Sequence, residues 1–355
     1  MIRVLVADDS ALIRRLFSET FAAAGGFEVE TARDGVEALE RLAVFRPDVV
    51  TLDVHMPKLD GFACLDRIML ERPTPVVIVS AVTQAGADES VRALELGAVE
   101  VVAKPSGALS LKMDRFGPML IVAVRAAAQA RVSKARRLAD RVRSRIGSLA
   151  PPLTEPRPRP AVTSDGLVVV GCSTGGPAAL DVLLSALPAD FPWPVVVAQH
   201  MPATFTGALA RRLDTLTALS VMEVLRAELL RPGVVYIGRG GADLLVAGRP
   251  GGLTAVTAPQ SEAYNWHPSV DRLMDSAAAL LPASQLVGVL MTGMGYDGAA
   301  AMTRLRAAGG RTIAEAESTA VVWGMPGELV RAGGAEWVEP LDRIGRRLAE
   351  IAGVA

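Results

Sequence analysis

Short unbroken runs of β-branched and aliphatic residues, each followed by a stretch of helical periodicity, recur along this chain and confine it to an α/β architecture. Residues 2–7, 49–52, 75–80 and 99–103 read as strands, with 27–31 a further one. They are continuous rather than alternating, which suits parallel strands covered on both faces. Helical patterns over 11–24, 35–45, 61–70 and 88–96 lie between them. A long helical stretch from about 113 to 148 follows, interrupted early by Gly117-Pro118 and basic in its second half through Lys134, Arg136, Arg137, Arg141, Arg143 and Arg145. The stretch Ala150-Pro151-Pro152-Leu153-Thr154-Glu155-Pro156-Arg157-Pro158-Arg159-Pro160 cannot continue a helix and reads as an extended, semi-rigid linker. Beyond it the pattern resumes. Strands are expected over 167–170, 195–199, 234–237 and 286–291, a hairpin over 244–246 and 253–256, and helices over 177–187, 204–213, 270–281, 298–308 and 341–351. The expected fold is two doubly wound α/β domains. The first is a flavodoxin-like unit over 1–125, the second a mostly parallel-sheet unit over 166–353, and 126–165 joins them as a helical and Pro-rich linker.

Composition narrows the function. Hydrophobic residues make up 50% of the 355 positions, enough for two packed cores, and the formal net charge of −1 argues against a nucleic-acid or membrane surface. No helix-turn-helix or other DNA motif accompanies the basic stretch, which reads as a solvated face or a dock for acidic helices. Cys64 and Cys172 form no CxxC pair, so a reducing, cytoplasmic compartment is expected. The start of the chain turns acidic too early for a signal peptide, and no apolar run reaches the ~20 residues of a membrane span. The histidines are His55, His200 and His267, too few to make a catalytic zinc site the natural reading.

In doubly wound sheets ligands bind beyond the carboxyl ends of the strands. In the first domain those ends carry Asp8 and Asp9, Asp53, Ser80 and Lys104. Three carboxylates so close repel one another unless a cation holds them, and Mg²⁺ takes a few carboxylates together with waters and phosphate oxygens. A hydroxyl and an ammonium opposite them suit a phosphoryl group. The chemistry implied is phosphoryl transfer to Asp53, with Asp8, Asp9 and Asp53 around the metal. Asp8-Asp9-Ser10, Asp53, Met56-Pro57-Lys58-Leu59-Asp60-Gly61, Ser80-Ala81 and Lys104-Pro105 resemble the receiver domain of two-component response regulators. That resemblance implies Mg²⁺ binding and phosphate from a histidine kinase, with Ser80 and Lys104 as switch residues. Val101 stands where receivers commonly carry an aromatic residue.

In the second domain Gly171-Cys172-Ser173-Thr174-Gly175 fits the G-x-S-x-G pattern between a strand and a helix. The turn would expose the Ser173 hydroxyl, and the helix start near Gly176 would aim N–H groups at an oxyanion. Gly-rich turns of this kind also bind phosphates. His200, directly after a strand, is placed to act as base toward Ser173, and His267 in a loop competes with it. Asp297, in the loop after another strand, completes a Ser–His–Asp order that differs from the α/β-hydrolase order.

Gly171-Cys172-Ser173-Thr174-Gly175-Gly176-Pro177, Gln199-His200-Met201-Pro202, Pro268-Ser269-Val270-Asp271, Thr292-Gly293-Met294-Gly295-Tyr296-Asp297-Gly298 and Gly324-Met325-Pro326 together resemble the catalytic domain of the chemotaxis protein-glutamate methylesterases. The resemblance implies Ser173 as nucleophile, His200 as base and Asp297 as orienter, with Thr174 and Met294 lining the site and the oxyanion hole, and no cofactor there. It implies hydrolysis of glutamate γ-methyl esters, and deamidation of glutamines, on methylated chemoreceptors. It also implies an unphosphorylated receiver that covers the cleft. A non-catalytic or differently targeted output domain is the alternative. Cys172, Glu315 and His55 stand where alanine, glutamine and an acidic residue are usual. Cys172 reads as a small buried filler. Glu315 is expected to alter the charge of the cleft.

Overall fold

The computed structural model describes residues 1–80, 83–104, 109–132 and 164–354. The chain divides into two compact units, Met1–Ala150 and Pro151–Ala355.

The first unit runs β1 (Ile2–Ala7), α1 (Ala11–Ala24), β2 (Phe27–Ala32), α2 (Gly35–Phe45), β3 (Val49–Asp53), α3 (Gly61–Glu71), β4 (Val76–Ser80), α4 (Gln84–Glu95), β5 (Glu100–Ala103) and α5 (Leu109–Ala127). Its five strands form one parallel sheet in the order β2-β1-β3-β4-β5. Helix starts follow cap chemistry: Asp34 accepts from Glu37 N at 2.9 Å and Asp60 from Ala63 N at 2.8 Å. Thr83 accepts from Gly86 N at 2.9 Å. This cap starts α4 at Gln84, four residues before the apolar periodicity that places it at 88. Helix α5 differs more. It runs unbroken through Gly117 and Pro118 and stops at Ala127. Pro118 removes one helical hydrogen bond, but Phe116, Leu120, Val124 and Ala127 are buried, and Phe116 stacks on Phe17 at 5.4 Å. Packing outweighs the lost bond. The basic residues from Lys134 onward and the Pro-rich linker lie outside the described residues.

The second unit holds β6 (Leu167–Cys172), α6 (Gly176–Ser185), β7 (Val195–Gln199), α7 (Ala203–Leu216), β8 (Ser220–Val224), β9 (Glu228–Leu229), β10 (Val234–Gly238), β11 (Asp243–Arg249), β12 (Gly252–Ala258), α8 (Val270–Ala278), β13 (Leu286–Leu290), α9 (Ala299–Ala307), β14 (Arg311–Glu315), α10 (Met325–Arg331), β15 (Trp337–Glu339) and α11 (Leu341–Ile351). Seven strands form a parallel sheet in the order β15-β14-β13-β6-β7-β10-β8. The hairpin β11–β12 pairs with β9 in a small antiparallel sheet. Every residue of β6, β7 and β13 is buried, as central parallel strands require.

Both sheets reverse their winding direction beside a central strand, between β1 and β3 in one and between β6 and β13 in the other. The crevice beyond that reversal is where doubly wound folds hold ligands. No helix among the described residues is long and apolar enough to cross a membrane.

Candidate active site

At the reversal of the first sheet, Asp8 and Asp9 follow β1 and Asp53 ends β3. One carboxylate oxygen from each lies within 4.8 Å of the others. This all-oxygen donor set suits a hard divalent cation. Lys104 reaches across, its Nζ 2.8 Å from Asp8 Oδ2 and 2.8 Å from Asp53 Oδ2. Burial pushes the Asp53 carboxyl above its ordinary range; Lys104 opposes this, while Asp8 and Asp9 add to it. Burial works to lower the Lys104 ammonium, but Asp53 and Asp8 outweigh it and hold it above its usual value. Ser80 donates to Gly86 O at 3.2 Å. Val101 is 2% exposed, and His55 pairs with Glu89 at 2.9 Å.

At the second reversal β6 ends in Cys172, and Ser173 starts the turn. Gly175 takes φ +78°, a left-handed conformation that glycine adopts without strain, and α6 begins at the next residue. The Gly176 N–H turns back to Ser173 O at 2.7 Å. It closes the turn, so this donor of the helix start is not aimed at the cleft as the motif alone suggests. Ser173 N donates to Thr292 O at 2.9 Å, which ties the turn to the loop after β13. Beneath it Gln199 donates to Ser173 O and His200 O, both at 3.0 Å, and Cys172 donates to Gln199 Oε1 at 3.0 Å. A Cβ on Gly293 would stand 2.6 Å from Ser173 Cβ and 2.4 Å from Met325 Sδ. Only glycine allows the 292–294 loop this close.

His200 follows β7, and its backbone N–H donates to Cys172 O at 3.0 Å, placing it beside the Ser173 turn. Its Nε2 lies 2.9 Å from Asp297 Oδ2. Nδ1 is buried and has no hydrogen-bond partner among the described residues. The neutral ring therefore carries its proton on Nε2, facing Asp297, and keeps the Nδ1 lone pair as the acceptor. His267, the competing histidine, sits elsewhere. Its Nδ1 is 3.1 Å from Asp243 Oδ1, an atom that also accepts from Ser269 N at 3.0 Å.

Asp297 is 1% exposed and accepts from four donors. These are His200 Nε2, Ser269 Oγ at 3.0 Å, Val270 N at 2.7 Å and Asp271 N at 3.0 Å. The two backbone donors open α8, where the helix dipole also favours an anion. Burial alone would raise the carboxyl, but the hydrogen bond and charge of His200 and the two N–H groups outweigh it and hold it below the usual range. That Ser269, Val270 and Asp271 hold the Asp297 carboxylate is a contact sequence reasoning missed. The cap pattern of Ser269 was the available signal.

Of the expected lining residues, Thr174 is buried and its carbonyl accepts from Thr292 Oγ1 at 2.9 Å, while Met294 is half-buried between Gly293 and Gly295. Glu315 differs from its expected place. It is fully buried and accepts from Thr292 N at 2.8 Å, so it supports the loop from below instead of charging the cleft. Burial also pushes the Cys172 thiol up, with Glu315 adding to the shift.

Comparison with known proteins identifies the families of both units. Residues 168–348 match the family model described as CheB methylesterase, and residues 4–113 match that of the response regulator receiver domain. The chain is 55% identical over 361 residues to protein-glutamate methylesterase/protein-glutamine glutaminase 2 of Rhodopseudomonas palustris, covering 99% of this chain and 98% of the relative. It is 47% identical over 353 residues to a protein of the same description from Rhodospirillum rubrum, covering 98% and 95%. The crystal structure of the Thermotoga maritima CheB methylesterase catalytic domain aligns with a TM-score of 0.51 at 39% identity, covering 54% of this chain and 100% of that one. The chain belongs to the CheB methylesterase family, as a protein-glutamate methylesterase and protein-glutamine glutaminase carrying a response regulator receiver domain.

Proposed function

We propose that Ser173, His200 and Asp297 are the nucleophile, base and orienter of this activity, that Thr174 and Met294 line the oxyanion site, and that phosphorylation of Asp53 switches it. The observation that carries the reading is the placement of His200. Its Nε2 is held on Asp297 at 2.9 Å, and its Nδ1 is left as the free acceptor beside the Ser173 turn.

The substrate is a glutamate γ-methyl ester on a chemoreceptor. Ser173 Oγ attacks the ester carbonyl carbon as its proton passes to His200 Nδ1, giving a tetrahedral oxyanion. Collapse breaks the bond to the methoxy group, which leaves as methanol with the proton from His200. Water then attacks the acyl-serine by the same route and frees the glutamate. A glutamine side chain follows the same course and releases ammonia. Asp297, ionised and fixed by the start of α8, stabilises the imidazolium formed in each half-reaction.

The receiver, residues 1–125, takes a phosphoryl group on Asp53 from a histidine kinase. Asp8, Asp9 and Asp53 would hold Mg²⁺, which when bound supplies positive charge to phosphate oxygens. Lys104 and Ser80 are the switch residues, Lys104 moving from its bridge between Asp8 and Asp53. The 126–165 linker connects this domain to the catalytic one, residues 166–353, and the protein works in the cytoplasm.

The test is methanol release from methyl-labelled receptor membranes, comparing wild type with Ser173→Ala, each with and without a small phosphodonor and Mg²⁺. The expected result is release by wild type, increased by phosphodonor and lost in Ser173→Ala. A folded wild type that releases nothing points instead to a different target or a binding-only output.

A further inference from the structure

The ring of Trp266 lies parallel to that of His200, with centroids 5.7 Å apart and planes 5° from parallel. Its other contacts fix it there. Tyr296 meets the indole edge-on at 4.9 Å, and Asn265 donates to the Tyr296 hydroxyl at 3.1 Å. Gly295, at φ +93°, leaves room for it: a Cβ there would stand 2.7 Å from Trp266 Cζ2. Trp266 also lines a cavity of about 280 Å³ with Tyr296, Asp297, Asp271 and Arg304, a cavity that His200 does not line. The indole thus lies parallel to the His200 ring and itself borders an open, polar cavity.

We infer that Trp266 is a positioning residue for the base. The indole face holds the imidazole plane so that Nε2 stays on Asp297 while Nδ1 stays free as the acceptor. The imidazolium, formed only when Ser173 gives up its proton, gains from lying over an electron-rich ring. A group favoured only along the reaction path raises kcat rather than tightening ground-state binding. Tyr296 and Gly295 act through Trp266, not on the substrate.

The inference rests on His200 being the base, and the test separates the two. Trp266→Leu keeps apolar bulk but removes the π face; Trp266→Phe keeps a smaller one. The expected result is a kcat lower by about 10-fold in Trp266→Leu, a KM within about twofold, and most of kcat restored in Trp266→Phe. A second readout needs no turnover. His200→Gln removes the ring stacked on Trp266 and so changes the wild-type indole emission, whereas it leaves the emission of Trp266→Phe unchanged. Unchanged kcat in Trp266→Leu, or a loss carried by KM alone, overturns the inference. If Trp266→Leu does not fold, a Trp266→Phe variant that itself loses about 10-fold or more in kcat, or a wild-type emission indifferent to His200→Gln, overturns it instead. A fully active His200→Gln sinks the base assignment itself, whereas an inactive His200→Gln beside a fully active Trp266→Leu sinks only the role of the indole.

Discussion

The backbone N–H of Val270 donates to Asp297 Oδ2 at 2.7 Å, the same oxygen that faces His200 Nε2. A helix terminus therefore sets the position of the carboxylate that sets the histidine. Asp297→Asn offers an amide to donors that need an acceptor, and it also removes the preference for the Nε2–H tautomer. The expected loss in kcat is ~10³–10⁴-fold, the scale on which triads respond to this change. A stability loss of ~1–3 kcal/mol should accompany it from the unmatched buried donors. Methanol release and denaturant unfolding measure the two separately.

The same carboxylate has a pH signature. Its folded pKa is depressed, so its contribution to stability is fully present above the unfolded value of about 3.9 and is lost as pH falls through the folded value. Unfolding midpoints of wild type and Asp297→Asn should differ above about pH 4 and converge below it. A gap that widens on acidification would contradict the assignment.

Gly293→Ala puts a methyl group against Ser173 Cβ and Met325 Sδ. Overpacking of this kind costs ~1–3 kcal/mol, but the larger effect falls on the nucleophile, because a displacement near 1 Å can cost ~10²-fold in rate. The variant should keep a cooperative melt and lose most of its activity, with Ser173 still present.

In the receiver, burial holds the Asp53 pKa above its ordinary value, so the ionised carboxylate costs stability at neutral pH and that cost fades as pH falls through the raised value. Asp53→Asn should raise the melting temperature of the metal-free receiver transition by a few degrees at pH 7, about 1 kcal/mol. The advantage should shrink on acidification. Millimolar Mg²⁺ should stabilise wild type more than the variant, because the variant lacks one of the three carboxylates. Calorimetry with and without chelator reads both effects.

The strands that carry chemistry were legible because central parallel strands must be apolar on both faces: β1, β3, β6, β7 and β13 announce themselves as unbroken runs. Their ends then point to Asp8, Asp53, Ser173, His200 and the loop leading to Asp297. The strands that escaped are marked by charge or brevity. Arg311–Glu315 is bounded by an arginine and a glutamate and reads as surface, although Glu315 is fully buried. Trp337–Glu339 and Glu228–Leu229 are too short for any periodicity, and Ser220–Val224, at the sheet edge, mixes Ser220 and Glu223 with apolar residues. Helix α10, Met325–Arg331, carries Pro326 and Gly327, which read as turn.

Within the site, single side chains at strand ends were legible, but contacts between distant loops were not. Nothing in the sequence around Asn265-Trp266-His267 says which aromatic ring will lie over His200, nor that His267 will be taken by Asp243. Gly117 and Pro118 show the same limit from the opposite side. Their propensities argue for a break, and the decision rests with Phe17 on another helix.

Cys64 and Cys172 are the chain's cysteines and both are buried; the Cys64 thiol is pushed up to about 12 by burial, and that of Cys172 is pushed up as well. A buried thiol that resists ionisation resists alkylation too. The native chain is therefore already a silent background for maleimide chemistry. One cysteine introduced on each unit would carry a donor and an acceptor dye without first stripping the protein of its own thiols, and the distance between receiver and esterase could be followed in real time as phosphate comes and goes.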